Sequence, residues 1–427
     1  MTIKRIKNLN SALDSLGATA FAMTCAKKKA RIFIFHIYDI KLSAALILKQ
    51  EAISAGGDFI TPKELILGEQ KTYSGILVAT ALQLEKIIAK CAIQPFGLKK
   101  LGANLKEHLK GEMCSVDLCD SHLDSCESSE SKTPKSPQIM GIINITEDSF
   151  YAPSRVNSID KILQKIEAMI ACGVAIIDIG AASSRPDSER IAPEIELKRL
   201  KEPIEAIFSA GFTQRAIFSI DSYNYECAEF CANRGFKIIN DIEGLRDMRL
   251  AELALHNDKK IVLMHNSWLF PPQDSPKQSA NQATNPQNCD IIHAVDEFFA
   301  QRFESLDKLG IKKEQIILDI GFGFGKNDAQ NLALIRNLAH FKHFGCEILV
   351  GASMKRSIGA ITGKGTLERG FGTLALHQIT LDNGADIIRC HDFSAHIDML
   401  KVWNALHGES KFDSRESTRD SHKSNII

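Results

Sequence analysis

The sequence has no surplus of charge of either sign, since its 427 residues contain 52 Lys and Arg against 52 Asp and Glu. A balanced chain has no net field to attract a nucleic acid or an anionic membrane surface, so neither partner is indicated. The sequence also lacks an uncharged apolar run of about 18 residues, which excludes an ordinary transmembrane helix. The N-terminal segment MTIKRIKNLNSALDSLG lacks the apolar run of a secretory signal. These absences predict a cytoplasmic protein without membrane or nucleic-acid partners.

Paired cysteines are also absent. The 11 cysteines are scattered, without C-x-x-C pairs or the spacing of a zinc site. Cys227 and Cys231 lie four residues apart in a helical pattern, which favours packing of both thiols within a helix. A metal or redox role for this pair is the less favoured alternative.

One segment has almost no large apolar residues. Residues 111–136, GEMCSVDLCDSHLDSCESSESKTPKS, are crowded with Ser, Asp, Glu and Lys and predict a flexible linker. Residues 1–110 then form a small α/β domain of unknown role, with strands in ARIFIFHIYDI and SGILVATA that each precede a helical pattern. Within it, AGGDFITPKE (55–64) is interpreted as a plain glycine turn, with a binding site as the less favoured alternative. Residues 408–427 are polar and predict a disordered tail.

After the linker, short apolar runs rich in β-branched residues alternate with segments of helical period. The eight runs are 139–145, 175–180, 216–221, 237–241, 261–265, 316–321, 347–353 and 386–392. Continuous apolar strands that alternate with helices indicate a parallel sheet covered by helices on its surface. Eight such units predict a (β/α)8 TIM barrel over residues 137–407, preceded by the small N-terminal α/β domain. An open doubly wound sheet is the alternative.

Each of these runs ends in polar or charged residues. They are Asn144, Asp178, Asp221, Asn240 with Asp241, His265, Asp319, Ser353 with Lys355, and Arg389 with His391. Any one of them could merely cap the next helix. The carboxyl ends of barrel strands share one mouth, however, and eight polar ends that converge there predict an active site.

The chemistry of these residues divides into two sets. Asp221, Asn240, Asp319 and Lys355 supply the acceptors and donors that recognise the edge of a flat polar heterocycle. The second set favours a phosphate group with Mg²⁺, because arginines bind phosphate and an amide oxygen suits Mg²⁺. Its members are Asn144, Ser184, Arg185, Arg389 and His391. No Ser-His-Asp arrangement or strong thiol nucleophile stands out, so covalent catalysis is not indicated.

Several long stretches, in order, resemble the dihydropteroate synthases over residues 138–407. They are MGIINITEDSF, DIGAASSRP, IDSYNYECAEFCANRGFKIINDI, LDIGFGFGK, LVGASMKRSIG and GTLALHQITLDNGADIIRCHD. The resemblance implies a transferase of folate biosynthesis that joins dihydropterin-methyl diphosphate to p-aminobenzoate with Mg²⁺. It also implies a homodimer and a target of sulfonamides.

The resemblance assigns roles to individual residues. It implies that Asn144 binds Mg²⁺, that Asp221, Asn240, Asp319 and Lys355 bind the pterin, and that Arg389 and His391 hold the phosphates. Ser184 and Arg185 would lie near both leaving group and amine, and catalysis would fall to Arg185, Lys355, Arg389 and His391. Met264 would line the pterin pocket, with core packing as the alternative. Phe150, Pro186 and Phe324 would form the aminobenzoate pocket, with plain packing as the alternative for the two phenylalanines.

Four features depart from the family pattern. The first loop, DSFYAPSR, lacks an expected acidic residue and brings in Arg155, and Ser184 replaces a threonine. Arg356 stands where the family has a serine, so it either pairs with the aminobenzoate carboxylate or points outward while helix N–H groups hold that carboxylate. Residues 267–289 form a long polar insertion.

Two other functions remain open on these residues. A pterin-dependent methyltransferase shares the Asp, Asn and Asp pattern but would not require Lys355, Arg389 and His391 together. A pterin-binding protein that has lost catalysis is suggested by the altered first loop.

Overall fold

A computed structural model describes residues 9, 13, 16–114, 136–145, 155–182, 190–271 and 290–407. The chain divides into two compact units, Met1–Cys126 and Glu127–Ile427. The predicted tail and most of the predicted linker lie outside the described residues. Within them, no helix has the length and apolar character that crossing a bilayer requires.

The N-terminal unit is an antiparallel three-stranded sheet with helices. Its strands are β1 (Ile32–Ile40), β2 (Asp58–Ile60) and β3 (Tyr73–Thr80), in the order β1-β3-β2. Its helices are α1 (Ala20–Ala30), α2 (Leu42–Ala55), α3 (Ala81–Cys91) and α4 (Leu98–Cys114). The two predicted strands and the helices after them are confirmed, whereas β2, α1 and α4 were not predicted. Helix α4 continues past residue 110, into the segment predicted as linker.

Local signals explain the boundaries in this unit. Along β3, buried and half-buried residues alternate, so one face of the strand lies on the core. Thr80 and Gln83 form a reciprocal capping box that begins α3. Gly56, with φ of 88°, ends α2 in the left-handed conformation, which accounts for the Gly-Gly turn in AGGDFITPKE.

The second unit is a closed barrel of eight parallel strands. They are β4 (Gln138–Asn144), β5 (Ile176–Gly180), β6 (Ile217–Asp221), β7 (Ile238–Asp241), β8 (Lys260–Met264), β9 (Ile316–Asp319), β10 (Glu347–Val350) and β11 (Ile387–Cys390). Strand β11 pairs with β4 and closes the ring. The predicted TIM barrel is therefore confirmed, and the open-sheet alternative is wrong.

Helices surround the barrel. They are α5 (Arg155–Ala171), α6 (Pro193–Ser209), α7 (Tyr225–Ala232), α8 (Arg249–His256), α9 (Ile291–Leu309), α10 (Asp328–Arg336), α11 (Arg356–Thr362), α12 (Gly370–Asp382) and α13 (Phe393–His407). Their apolar faces pack on the outward residues of the strands in one extensive core. Cys227 and Cys231 are fully buried in α7, as the helical spacing predicted.

The barrel interior is built in layers with the strand period of two. One layer is apolar and consists of Met140, Ile176, Ile238, Val262, Ile317, Leu349 and Ile387. Two residues further along these strands, the inward side chains include Asp178, Asn240, Met264, Asp319 and Arg389. Because side chains alternate between faces, the residues that follow the apolar layer by two must face the same interior. The apolar layer is therefore the floor of a polar mouth.

Candidate active site at the carboxyl ends of the barrel strands

Arg389 lies at the centre of the mouth and joins two carboxylates. Its Nε donates to Asp178 Oδ2 at 2.6 Å, and a terminal nitrogen donates to Asp221 Oδ2 at 2.5 Å. Asn240 Nδ2 also donates to Asp178 Oδ2, at 3.1 Å. Residues from strands β5, β6, β7 and β11 therefore form one hydrogen-bonded cluster.

Burial and the neighbouring charges shift the pKa values of residues in this cluster. Burial raises the pKa of Asp221 to about 7, although the charge of Arg389 opposes that shift. For Arg389, burial disfavours the cation, but Asp178 and Asp221 outweigh burial and raise its pKa above the ordinary value. The Asp178 side chain is fully buried, and its Oδ1 has no partner among the described residues. One guanidinium is thus shared between two carboxylates. Asp178 Oδ1 can still accept a hydrogen bond that no described residue donates.

Asp178 is a site residue that the sequence assignment of roles omitted. It was recognised as a strand-end residue but given no part in binding the heterocycle. The available signal was its register, because Asp178 follows Ile176 of the apolar layer by two residues.

Strand register also shows that two of the predicted strand-end side chains do not face the mouth. His265 follows the inward Met264 by one residue, and its buried ring packs edge-on against Phe298 of α9 at 5.0 Å. Asp241 follows Asn240 by one, and its carboxylate accepts the backbone N–H groups of Glu243 and Leu245. The expectation that all eight strand ends converge on the mouth is therefore wrong for these two side chains.

Lys355 supplies the second cation, over an aromatic ring. Its Nζ lies 4.0 Å from the centre of the Phe324 ring. Burial, with Arg389 nearby, lowers the pKa of Lys355 to about 8, and the carboxylates of Asp319 and Asp221 partly offset this shift. Phe324 itself is buried and contacts Trp268 edge-on, with ring centres 5.8 Å apart. Phe324 therefore supports Lys355, whatever else it contacts.

A glycine-rich loop, residues 321–325, connects Asp319 to Lys326. Gly321 N donates to Asp319 Oδ1 at 2.7 Å, which fixes that carboxylate at the end of β9. Burial raises the pKa of Asp319. Gly321 has φ of +64°, and a Cβ there would lie 1.9 Å from the carbonyl oxygen of His265. No other residue type fits this close approach of two backbones.

Lys326 stabilises the same loop. Its role was not identified from the sequence. Its Nζ donates to the carbonyl oxygens of His265 and Gly321 at 3.0 Å and of Phe324 at 3.3 Å. Burial lowers its pKa to about 7. Since its three donors are used on backbone carbonyls, Lys326 stabilises the loop rather than offering a cation to a ligand.

His391 and Ser353 form the other side of the mouth. Ser353 Oγ accepts the backbone N–H of His391 at 3.3 Å, and the same hydroxyl lies 2.9 Å from His391 Nδ1. Partial desolvation and the neighbouring cations lower the pKa of His391 to about 4, so the ring is neutral near pH 7. With Nδ1 accepting the serine proton, Nε2 carries the ring proton and is available as a donor.

The remaining predicted residues fall in different surroundings. Asn144 is exposed at the end of β4, beside Gly180 of β5. Met264 is buried in the inward layer, and Arg356 is exposed at the first position of α11. Four predicted residues lie outside the described part of the chain: Phe150, Ser184, Arg185 and Pro186. So do residues 148–154 of the first loop and most of the insertion after β8.

Hydrogen bonds anchor the described residues that follow residues 183–189, between β5 and α6. Ile191 N donates to the Tyr223 hydroxyl at 3.0 Å, and Asn224 Nδ2 donates to the buried Glu196 at 2.6 Å. Burial raises the pKa of Glu196. The chain therefore enters α6 in a fixed position relative to the loop after β6.

Comparison with known proteins agrees with this geometry. Residues 140–391 match the family model of pterin binding enzymes. The bifunctional dihydropteroate synthase/dihydropteroate reductase of Helicobacter pylori is 42% identical over 408 residues, which cover 95% of this chain and 99% of that protein.

Two solved structures are similar to the barrel. The dihydropteroate synthase of Clostridium difficile, crystallised in the presence of pteroic acid, has a TM-score of 0.56 and 31% identity, covering 64% of this chain and 97% of that one. The Xanthomonas albilineans enzyme with 4-aminobenzoic acid has a TM-score of 0.54 and 30% identity, covering 63% and 93%. The chain described here belongs to the pterin-binding enzymes and, within them, to the dihydropteroate synthases.

Proposed function

We propose that the barrel condenses 7,8-dihydropterin-6-ylmethyl diphosphate with p-aminobenzoate to give 7,8-dihydropteroate and diphosphate. The observation that carries this is the buried cluster of Asp178, Asp221, Asn240 and Arg389 beside Lys355 and His391. It offers carboxylate and amide groups to a flat heterocycle, and cations and an N–H donor to an anion at the same mouth. The ligands named for the two similar structures support both halves of this assignment.

The chemistry follows from binding and charge. The bond between the pterin methylene carbon and a diphosphate oxygen breaks, the aniline nitrogen forms a new bond to that carbon, and one proton leaves the nitrogen. Arg389, Lys355 and the His391 Nε2–H stabilise the negative charge that develops on the departing diphosphate. Asp221 and Asp319 accept pterin N–H groups and stabilise positive charge on the ring. Because no protein nucleophile is required, the site acts by orientation and electrostatics.

The pterin half of the proposal is tested by direct binding. We expect Asp221→Ala, Asn240→Ala and Lys355→Ala each to weaken the binding of a pterin by about 1–3 kcal/mol, because each leaves buried polar groups unpaired. Isothermal calorimetry measures this without turnover. Unchanged affinity in all three variants would show that the ring binds elsewhere.

The Mg²⁺ proposal rests on the donor at the end of β4. Asn144 places an exposed amide at the mouth, a hard oxygen ligand of the kind that Mg²⁺ accepts. Mg²⁺ keeps several waters and is often held by one or two protein groups together with substrate phosphates, so a single amide fits this role. When bound, the ion would neutralise charge on the diphosphate.

Removal of the Asn144 amide should weaken binding of Mg²⁺ and the diphosphate, while binding of the pterin ring should not change. We expect Asn144→Ala to raise the Mg²⁺ concentration that half-saturates activity by about tenfold, a loss near 1.4 kcal/mol. Binding of a pterin without diphosphate should stay near the wild-type value. Equal losses of both affinities would instead make Asn144 a structural residue.

Arg356 is proposed to bind the carboxylate of p-aminobenzoate. It is exposed, lies next to Lys355 and makes no hydrogen bond or ion pair with the described residues, and a guanidinium forms two charge-assisted bonds to a carboxylate. We expect Arg356→Ala to raise the KM for p-aminobenzoate about tenfold or more, with the pterin diphosphate KM unchanged. Sulfonamide inhibition, where present, should weaken in parallel. Steady-state kinetics with Arg356→Lys as the charge-retaining control would decide, and unchanged aminobenzoate kinetics in Arg356→Ala would favour the outward orientation.

A second activity, the reduction of dihydropteroate, is proposed for the full chain. The Helicobacter pylori relative carries a reductase in its name, and its alignment over 95% of this chain necessarily includes most of the N-terminal unit. Reduction adds a hydride and a proton across one C=N bond, so it needs a hydride donor of the nicotinamide or reduced-flavin class.

Truncation of the chain can separate the two proposed activities. The Clostridium difficile enzyme covers only 64% of this chain, which shows that a barrel of this family exists without the N-terminal unit. We expect the full chain and residues 127–427 to share synthase activity. Only the full chain should oxidise NADPH or a reduced flavin in the presence of dihydropteroate. Equal reductase rates in both would place that activity in the barrel.

A cytoplasmic location and a homodimer are also proposed. The location rests on the proposed solutes, which are small and soluble, and the dimer on the resemblance to the dihydropteroate synthases. Analytical ultracentrifugation would test the dimer.

A further inference from the structure

Two buried histidines behind the mouth are not used by the proposed chemistry. His377 lies in α12 and His396 in α13, and both are almost completely inaccessible to solvent. His377 Nδ1 lies 2.8 Å from His396 Nε2, with the rings edge-on at 5.0 Å and 61°. A buried polar contact of this kind requires each nitrogen to have a partner of the right type.

The neighbouring backbone groups determine where the protons are. Ala352 N–H donates to His377 Nε2 at 3.1 Å, and since an amide N–H only donates, Nε2 carries no proton. The proton of a neutral His377 is then on Nδ1 and is donated to His396 Nε2. His396 therefore carries its own proton on Nδ1, which lies 2.5 Å from the carbonyl oxygen of Asp392. Burial lowers the pKa of both rings, in agreement with two neutral imidazoles.

The two ends of this chain of hydrogen bonds lie beside predicted site residues. Ala352 follows β10 and precedes Ser353 and Lys355, while Asp392 directly follows His391 at the end of β11. Just after strands β10 and β11 end, hydrogen bonds join Ser353 to His391 on the mouth side. On the far side, the same two segments are joined through the histidines.

A second residue of α12 acts on the same segment. Thr373, one turn before His377, accepts the N–H of Met354 at 3.2 Å. Met354 has φ of +58°, a conformation that non-glycine residues adopt at a cost. The loop that carries Lys355 is therefore held in a strained conformation by contacts from α12.

We propose that His377 and His396 are positioning residues: a directional relay, Ala352 N–H to His377 to His396 to Asp392 C=O, sets the separation of the Lys355 and His391 segments and so the fit of the diphosphate. This rests on the proposed function of the mouth. A relay in series fails wherever it is cut, so loss of any of its three links has the same effect. Three of the four proposed pterin ligands, Asp221, Asn240 and Asp319, lie outside these two segments, so the affinity for the pterin ring should fall less than the affinity for diphosphate.

Three single substitutions cut one link at a time. His377→Gln retains an acceptor near the Nε2 position for Ala352 and loses the donor to His396, whereas His377→Asn retains the donor and loses the acceptor. His396→Gln retains the acceptor for His377 and loses the donor to Asp392. His256→Gln, at an exposed histidine of α8, is the matched control.

The measurement compares ligands with and without diphosphate, on the full chain. We expect the three relay variants to lose about tenfold or more in affinity for pterin diphosphate and for inorganic diphosphate with Mg²⁺, measured by calorimetry. Affinity for 6-hydroxymethylpterin should fall clearly less, by about threefold at most, because only Lys355 of its proposed ligands lies in a displaced segment. The double variant His377→Gln/His396→Gln should be no worse than the poorer single one. Long-range ¹H–¹⁵N spectra of histidine-labelled protein should show two rings protonated at Nδ1.

Three results would overturn the relay. They are wild-type diphosphate affinity in all the variants, equal losses with and without diphosphate, and Nε2-protonated rings at both positions. None of these measurements needs turnover. A full chain without synthase activity would therefore contradict the proposed function, while the diphosphate affinities would still decide on the relay.

Discussion

Asp178→Ala should destabilise the barrel by about 3–5 kcal/mol, because it removes one partner of a buried ion pair and leaves Arg389 undercompensated. The substitution also deprives Asn240 of its acceptor. Urea unfolding followed by fluorescence and circular dichroism measures the change in midpoint. The surface pair of Glu167 and Arg215 provides the control, since Glu167→Ala removes an exposed ion pair and should leave the midpoint close to wild type.

Asp178→Asn is the more informative variant for pterin binding. It retains an acceptor for Arg389 and Asn240 but removes the charge, so Arg389 is drawn to Asp221 alone. The pterin must then compete with a guanidinium that no second carboxylate restrains, and we expect its affinity to fall about tenfold. Calorimetry with a pterin would contradict the shared-guanidinium account if Asp178→Asn bound as tightly as wild type.

Among Gly→Ala substitutions at the described glycines, Gly321→Ala should destabilise the barrel most. The new Cβ would lie 1.9 Å from the carbonyl oxygen of His265, a backbone atom that cannot move without disturbing the end of β8. We expect a loss of at least about 3 kcal/mol in unfolding free energy, together with loss of pterin binding through Asp319. Denaturant midpoints and pterin calorimetry measure the two effects.

Gly310→Ala separates steric overlap from backbone strain. Gly310 ends α9 with φ of +87°, but a Cβ there meets no atom within 4 Å. The substitution should cost only the strain of a left-handed alanine, about 1–2 kcal/mol. Equal destabilisation of the two variants would show that the close approach at His265 relaxes freely.

The barrel was predictable because its signal is repeated. Eight apolar runs in helical surroundings admit few architectures, and each observed strand lies within about a residue of a predicted one at its start. The N-terminal unit was predicted less completely. Strand β2 has only three residues and forms by pairing with β3, so its sequence carries little signal of its own.

The site was predictable where strand period and chemistry coincide. Asn240, Asp319 and Arg389 face the interior because they follow residues of the apolar layer by two, and Asp221 of β6 lies in register with Asn240. His265 and Asp241 are as polar but stand one residue out of register, and composition alone did not separate them. Lys326 donates to the His265 carbonyl oxygen, and His377 contacts both the Ala352 N–H and the ring of His396. Those partners are brought together only by the fold, so no local pattern marks these three residues.

Closure of the ring between β4 and β11 has a consequence for how the molecule is made. Ile387 pairs with Gln138, so the first strand of the barrel stays without this neighbour until the other seven strands have been synthesised. Contacts between residues so distant in sequence form slowly, because much loop entropy is lost before they are gained. Until then the growing polypeptide carries two open strand edges, a surface that invites aggregation or chaperone capture. Arg389 arrives on that last strand, so ligand binding during biosynthesis begins only when the ring is complete.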